Sequence, residues 1–160
     1  MISPAASANS IVSLRPAEAD DARLLFDWLN QPESLAGKLD TVAPVAWDTH
    51  RAWFEARLSS CDCGIWIAEK NGQAIGQVRA ERRDDGRLHV DIYVAAEARR
   101  RGAGAEILDQ LAATCATRWP GEPLIARVLI GNTASLALFE GGGYRVQHEA
   151  RDNVEMVKGG

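Results

Sequence analysis

The chain has 160 residues, a net charge of -4, 46% hydrophobic residues and 25% charged ones, which fits one folded domain and excludes a disordered or fibrous chain. The acidic balance argues against a general nucleic-acid binder, since binding to a phosphate backbone needs a basic face. No run approaches the roughly 18 apolar residues of a membrane span, and residues 1–10 lack the pattern of a signal peptide. We therefore expect a cytoplasmic protein that binds neither nucleic acid nor a membrane.

The cysteines do not form a recognisable framework. There are three of them, an odd number and too few for a disulfide-stabilised fold. The pair Cys61 and Cys63 lacks a second pair of zinc ligands, because the three histidines are widely scattered. The sequence therefore predicts no metal site.

The first third of the chain predicts a strand followed by two helices. Residues 1–10 are small, polar and unpatterned, and we expect a disordered lead-in to a single domain over residues 11–160. Apolar residues then recur at helical spacing up to Asn30, and Asp48 is a candidate cap for the second helix. In chain order, the predicted elements are a strand over 11–15, a helix ending near residue 30, a loop over 31–46 and a helix ending near residue 58.

A three-stranded antiparallel meander is predicted next. Asn71-Gly72 is a strong signal for a tight hairpin, and it joins strands over 64–70 and 73–82. A turn over 84–86 then leads into a strand over 88–94.

The strand over 88–94 has one apolar face and one polar face. Side chains alternate along a strand, so the four apolar side chains from Leu88 to Val94 lie on one face. His89, Asp91 and Tyr93 lie on the other, and we expect chemistry on that face.

The last third of the chain predicts two helices and three strands. Pro120 and Gly121 end the first helix, Asn132 caps the second, and a run of three glycines ends it. In order, the predicted elements are a helix over 102–119, a strand over 124–130, a helix over 132–141, and strands near 144–149 and 154–158.

A candidate phosphate site lies where the strand over 88–94 leads into a helix. A helix start offers unpaired backbone N–H groups and a partial positive charge, and glycines such as Gly102 and Gly104 let an anion approach closely. The spacing is not a dinucleotide fingerprint, because Ile107 stands where the third glycine is needed, and no Walker motif is present. Three arginines, Arg99 to Arg101, precede this helix.

Two motifs in this half of the chain resemble those of the GNAT N-acetyltransferases. Arg99, Gly102 and Gly104 match the acetyl-CoA signature, Arg/Gln-x-x-Gly-x-Gly/Ala. The segment from Asn132 to Tyr144 resembles the second family motif, Asn-x-x-Ser/Ala-x-x-Leu-Tyr/Phe-Glu/Lys-x-x-Gly-Phe/Tyr. The resemblance covers roughly residues 11–157, because the order of predicted elements follows the family order throughout.

The resemblance implies an α/β (α+β) GNAT fold. Its mixed, mostly antiparallel sheet of six or seven strands carries about four helices and splays between the strand over 88–94 and the strand over 124–130. Acetyl-CoA is the implied cosubstrate and lies in that gap, with backbone N–H groups holding its pyrophosphate and polarising its thioester. The implied contacts to acetyl-CoA come from Ile92, Val94, Arg99, Arg100, Arg101, Gly102, Ala103, Gly104, Asn132 and Phe139.

Direct attack by an amine on the thioester needs a base for the ammonium proton. Asp91 and His89 share a strand face and are the two candidates, with His50 on the second helix as a third. Many family members place a tyrosine general acid where this chain has Phe139, which cannot donate a proton. Water or another group then serves, or the thiolate leaves unassisted.

The acceptor is expected to bind against the first two helices, where we predict that Trp28, Trp53 and His50 contact it. The segments from Leu14 to Pro32 and from Trp47 to Glu55 resemble the branch that acetylates nucleotide-linked 4-amino sugars. The favoured function is thus acetyl transfer to a small-molecule primary amine, an amino-sugar nucleotide first. The alternatives are a ribosomal-protein or peptide acetyltransferase, an aminoglycoside acetyltransferase and a catalytically silent acyl-CoA-binding module. A monomer and a homodimer both remain open.

Overall fold

The computed structural model describes residues 11–31 and 44–159. Within them, seven strands form one sheet with four α-helices packed on it, as expected. The strands are β1 (Ser13–Pro16), β2 (Cys63–Lys70), β3 (Gln73–Arg82), β4 (Leu88–Val94), β5 (Leu124–Leu129), β6 (Arg145–Glu149) and β7 (Asn153–Lys158). The helices are α1 (Ala22–Leu29), α2 (Trp47–Leu58), α3 (Ala103–Arg118) and α4 (Thr133–Gly141). The predicted lead-in over 1–10 and most of the predicted loop over 31–46 lie outside the described residues.

The predicted meander is confirmed. Strands β2, β3 and β4 pair antiparallel in sequence order. Asn71 and Gly72 both have positive φ, 57° and 76°, which is the type I′ geometry that matches the twist of a hairpin. This turn sets the register in which Lys70 pairs with Gln73.

The sheet opens between its two central strands, as predicted. The strand order is β1-β2-β3-β4-β5-β7-β6, and the contact of β4 with β5 is parallel, whereas the other pairs are antiparallel. That parallel contact is limited to Leu88 with Leu124 and His89 with Ile125. Both strands continue for several residues beyond these pairs without pairing to each other, so they diverge. The resulting gap lies between the end of β4, at Ile92 to Val94, and the end of β5.

Each face of the sheet carries two helices. The apolar side chains of β4 join a core with α3 and α4 that includes Ile107, Leu108 and Leu111. On the other face, α1 and α2 pack on β2 through Leu25, Trp28 and Phe54. The polar face of β4 therefore lies on the side of α1 and α2, where Tyr93 joins the second core.

Two predicted details are wrong. Helix α2 begins at Trp47 with Ala46 as its N-cap, and Asp48 lies in the first turn instead of capping it. A carboxylate there still interacts favourably with the positive end of the helix dipole. Strand β1 begins two residues later than predicted and includes Pro16, which an edge strand tolerates. None of the helices in the described ranges is long and apolar enough to cross a membrane.

Candidate active site

A cavity of about 960 Å³ lies between the polar face of the sheet and helices α1 and α2. Alternate residues of β3 and β4 form its floor, and the two helices form its wall. It contains both predicted bases and all three predicted acceptor contacts. The floor is made by Gln77, Arg79, Glu81, His89, Asp91 and Tyr93, and the wall includes Trp28, His50, Trp53 and Arg57.

Asp91 lies where the sheet begins to open. It is two residues beyond the last pair that joins β4 to β5, so its half-buried carboxyl group is beside the gap. The amide of Gln77 donates to it, with Nε2 3.1 Å from Oδ2. Gln77 itself is only 9% exposed, so this hydrogen bond fixes the carboxylate from the cavity floor.

His89 lies at the closed end of the same strand face. His89 belongs to the last residue pair that joins β4 to β5. At the usual rise per residue, it lies about 16 Å along the strand from Val94. Its Nε2 is 2.8 Å from Oδ2 of Asp85. Burial raises the pKa of Asp85, but hydrogen bonds from the Arg87 amide and from His89 outweigh burial and lower that pKa to about 2. His89 therefore lies on the paired side of Asp91, two residues before it along the strand.

The register of β3 and β4 determines which backbone amides face the gap. The amide of Ala95 donates to the carbonyl of Ile75 at 2.7 Å, across from β3. Hydrogen-bonded pairs alternate along an antiparallel ladder, so Tyr93 also bonds to β3, whereas Ile92 and Val94 direct their amides away from it. Beyond His89 no β5 partner meets those amides, which leaves them directed into the gap.

The start of α3 is suited to an anion. Its N-cap is Gly102, in the left-handed conformation with φ 81°, and no side chain caps the helix. The amides of Ala103 and Gly104 in the first turn have no partner within the helix, because a helix start leaves its first N–H groups unpaired. A Cβ on Gly102 would meet no atom within 4 Å, so the N-cap position itself is not packed against a neighbouring side chain.

The three arginines before α3 differ in their contacts. Arg99 turns back onto β4, where its Nε donates to the carbonyl of Val94 at 2.7 Å and its guanidinium lies 5.3 Å from the ring centre of Tyr93. Arg100 and Arg101 are exposed beside the helix start. Arg100 has a positive φ of 64°, which is uncommon for a residue with a side chain. Arg99 thus braces the end of β4, and the other two are placed to reach a phosphate.

Three other residues assigned to the acetyl-CoA site have structural contacts. A Cβ on Gly104 would lie 2.8 Å from Cδ1 of Leu138, so a side chain there requires Leu138 to shift where α3 packs on α4. Asn132 caps α4 by accepting from the Ser135 amide at 3.2 Å. Phe139 is 4% exposed and packs edge-on against Tyr144, with ring centres 5.0 Å apart.

Trp53 contacts two arginines. The guanidinium of Arg79 lies 4.9 Å from the ring centre of Trp53, and that of Arg57 lies 5.4 Å from it. Both arginines pair with Glu81 on the cavity floor. Trp28, on α1, contacts the ring of Tyr93 at a centre distance of 5.2 Å. Trp28 and Trp53 therefore both belong to the aromatic part of the cavity wall.

His50 joins α2 to α1. Its Nε2 is 3.1 Å from the carbonyl oxygen of Ala22, and its ring stacks on Phe54. Because a carbonyl only accepts, the hydrogen is on Nε2. Burial lowers the pKa of His50, which is 3% exposed, so the ring is neutral at pH 7. His50 borders the cavity but has little surface with which to contact an acceptor.

No cysteine is suited to act as a nucleophile in this cavity. Cys63 and Cys115 are buried, and burial raises the pKa of each thiol to about 11. Cys61 is exposed on the turn after α2 and does not line the cavity. Among the residues that the structure describes, no group of His, Cys, Asp or Glu side chains is arranged to hold a metal ion.

Sequence reasoning missed the polar residues of β3. Gln77, Arg79 and Glu81 alternate with the buried residues Val78 and Ala80, a period of two that marks one polar face in the sequence itself. It also missed Arg127, the charged residue in the otherwise apolar strand β5. A charge inside an apolar strand signals contact with solvent or a ligand.

The family assignment follows from a match over most of the chain. Residues 12–145 match the model of the acetyltransferase (GNAT) domain, which spans both motifs, the meander and the gap. The chain belongs to the GNAT acetyltransferase family. No protein of curated function matches the sequence significantly.

Solved structures share this GNAT fold at low sequence identity. A domain from Methanocaldococcus jannaschii is 18% identical, with a TM-score of 0.82, over 94% of this chain and 99% of that one. The spermidine N-acetyltransferase from Vibrio cholerae, in complex with CoA and spermine, is 16% identical, with a TM-score of 0.81, over 92% and 95%. The aminoglycoside acetyltransferase AAC(6')-Ib, in complex with coenzyme A and kanamycin, is 17% identical, with a TM-score of 0.79, over 92% and 94%.

Proposed function

We propose that this protein transfers the acetyl group of acetyl-CoA to a primary amine of a small molecule, by direct attack in a ternary complex. The observation that carries the proposal is the opening of the sheet after His89 and Ile125, with the uncapped start of α3 at one end of the gap and a cavity beside it. The domain that performs this reaction spans residues 11–160.

The residues of the gap fit acetyl-CoA. The amides of Ala103 and Gly104, with the exposed Arg100 and Arg101, would hold its pyrophosphate, because unpaired helix-start amides and guanidinium groups both bind phosphate oxygens. The amides of Ile92 and Val94 would bind the pantetheine arm and the thioester oxygen. When bound, acetyl-CoA supplies an electrophilic carbonyl and a good leaving group.

Asp91 is the base that we propose. It lies beside the gap, whereas His89 lies at the closed end and is bound to Asp85. The carboxylate takes the ammonium proton directly or through one water, which leaves the neutral amine needed for attack. Phe139 has no proton to donate, so a proton for the leaving thiolate comes from water or another group, or the thiolate departs unprotonated.

An amino-sugar nucleotide is the acceptor that we favour. Trp28 and Trp53 offer aromatic surfaces for a base or sugar ring, and the cavity of about 960 Å³ is at the upper end of the usual range for small-molecule sites. The resemblance of the first two helices to enzymes of nucleotide-linked 4-amino sugars supports the same class. Structural relatives of this fold hold other small amines, spermine and kanamycin.

The experiment that tests the function is a release assay for the CoA thiol with a panel of amines. The panel contains amino-sugar nucleotides, polyamines, aminoglycosides and peptides, and the acetylated product is identified by mass spectrometry. We expect turnover with a small-molecule amine and saturation with respect to both substrates. Binding of acetyl-CoA without turnover on any acceptor would instead indicate a silent acyl-CoA-binding module.

A further inference from the structure

Arg127 brings a positive charge to the acceptor cavity from β5. Residues paired in register share a face, so Ile125 faces the same side as His89. Side chains alternate along a strand, and Arg127 therefore faces the side on which Asp91 lies. Arg127 lines the cavity and is exposed, whereas its neighbours Ala126 and Val128 are buried.

The carboxylate opposite Arg127 in the sheet, that of Glu155, is already paired with another arginine. Glu155 on β7 is opposite Arg127 in the register of β5 and β7. Arg87 holds both oxygens of Glu155 in a bidentate pair, with two N–O distances of 2.7 Å, which lowers the pKa of that carboxyl group. Over residues 11–31 and 44–159, Arg127 has no hydrogen-bond or ion-pair partner.

The other arginines of the cavity have partners. Arg57 and Arg79 share Glu81, Arg82 pairs with Asp62 and Glu122, and Arg83 has an interaction partner as well.

Most of the carboxylates of the cavity are paired with arginine or histidine as well. Five of them line the cavity, and among these Asp62, Glu81 and Asp85 are in ion pairs or hydrogen bonds with arginine or histidine. A polycationic acceptor needs several carboxylates that have no such partner. This cavity offers an unpartnered cation instead.

We propose that Arg127 binds a phosphate group of the acceptor and so selects amines that also carry phosphate. If β4 and β5 stayed paired, Arg127 would be the partner of Asp91, so the two residues lie on opposite sides of the opening. One acceptor can therefore place its amine at Asp91 and its phosphate at Arg127. A guanidinium suits this role because it binds phosphate through two parallel hydrogen bonds. The inference rests on the proposed function for the amine end of the acceptor.

The test compares acceptors with and without phosphate. Glucosamine is compared with glucosamine 6-phosphate, and a nucleotide-linked 4-amino sugar with the free amino sugar. The first pair reports a phosphomonoester and the second a diphosphate, which separates the two sources of the group. The variants are Arg127→Gln and Arg127→Lys, with Arg145→Gln on the outer strand β6 as a control of equal charge change.

We expect wild type to favour the phosphorylated member of at least one pair by about tenfold or more in kcat/KM. This factor corresponds to the free energy of one hydrogen bond to a charged group. Arg127→Gln should abolish that preference through the KM of the acceptor, with the KM of acetyl-CoA unchanged, and Arg127→Lys should keep part of it. Arg145→Gln should behave as wild type. Calorimetric titration of the same acceptors into the protein saturated with CoA should show the same order of affinity, including for acceptors that are not turned over.

Three results would overturn the assignment: no phosphate preference in wild type, a preference that survives Arg127→Gln in a folded protein, or an effect on the KM of acetyl-CoA alone. Failure of the proposed function has a different signature, since no amine would then be acetylated. In that case the calorimetric order of affinity still decides the role of Arg127.

Discussion

Gln77 on β3 donates its side-chain amide to the carboxylate of Asp91 on β4, with Nε2 3.1 Å from Oδ2. The two residues are not direct partners in the ladder, since Gln77 pairs with Tyr93 and Arg79 pairs with Asp91. The hydrogen bond is therefore diagonal across the strands. It orients the carboxylate on the cavity floor, beside the point at which the sheet opens.

Substitution of Asp91 tests the proposed base. Asp91→Asn keeps the size of the side chain and removes its ability to take a proton, so we expect kcat to fall by about a hundredfold or more. The affinity for CoA should not change, because Asp91 faces the acceptor side of the sheet. Steady-state kinetics and calorimetry with CoA measure the two quantities.

The matched control is Asp84→Asn, on the exposed turn at the edge of the same cavity, which should keep near-normal turnover. If Asp91→Asn keeps its rate while His89→Gln or His50→Gln loses it, the base is that histidine.

The start of α3 is tested by adding a negative charge at Gly102. A side chain at this position meets open space, so Gly102→Asp places a carboxylate near the amides that would bind pyrophosphate. We expect the Kd for CoA to rise by about tenfold or more, because the added charge competes with the ligand. Gly102→Ala imposes the same strained φ without the charge and should weaken binding much less. Equal affinity in the two variants would place the pyrophosphate elsewhere.

Gly104 is a poorer position for that test. A side chain there would collide with Leu138, so a loss of CoA binding in Gly104→Glu would also report damage to the packing of α3 on α4. Thermal unfolding without ligand should show this damage directly, as a lower Tm for Gly104→Glu than for wild type.

Local patterns predicted the elements well because each has a local cause. Asn71 and Gly72 adopt the positive φ values that their hairpin turn requires, and Asn132 caps α4 as its residue type suggests. The roles of Gly104 and His50 could not be predicted in this way. Gly104 contacts Leu138, and His50 contacts Ala22. Each pair is distant in sequence, so its contact depends on how the helices pack.

The ion pair of Arg15 with Asp21 should make stability depend on pH. Two N–O hydrogen bonds of 2.8 Å from Arg15, with an amide hydrogen bond from Glu18, hold the pKa of Asp21 below its usual value. The unfolded chain therefore binds more protons than the folded protein between the folded pKa and about 3.9. The stabilisation is complete above that range and is lost as the pH falls through the folded pKa.

Asp21→Asn should thus lower the free energy of unfolding at pH 7 by about 1 to 2 kcal/mol, with a smaller penalty below pH 3. Urea titrations at a series of pH values measure both quantities. The neighbouring exposed residue supplies the control, Asp20→Asn, which should leave the stability nearly unchanged. A penalty for Asp21→Asn that is the same at every pH would contradict the ion-pair explanation.

Acetyl transfer should not pass through a cysteine. The buried thiols of Cys63 and Cys115 have pKa values near 11 and are protonated at neutral pH, and Cys61 lies outside the cavity. The variant with all three cysteines changed to alanine should keep its kcat, with some loss of Tm because two buried side chains become smaller. Mass spectrometry after incubation with acetyl-CoA alone should show no acetylated cysteine. Ping-pong kinetics would contradict direct attack.

Trp53 should contribute to acceptor binding and not to the chemical step. Its ring lines the cavity and contacts Arg57 and Arg79, which both pair with Glu81. Trp53→Ala removes an aromatic contact present in both the ground state and the transition state, so we expect the acceptor KM to rise by about tenfold with little change in kcat. Trp53→Phe keeps an aromatic surface and should recover most of the affinity. A fall in kcat at unchanged KM would show that the braced ring positions the amine against Asp91, and a matching rise in the KM of acetyl-CoA would place Trp53 in the other binding site.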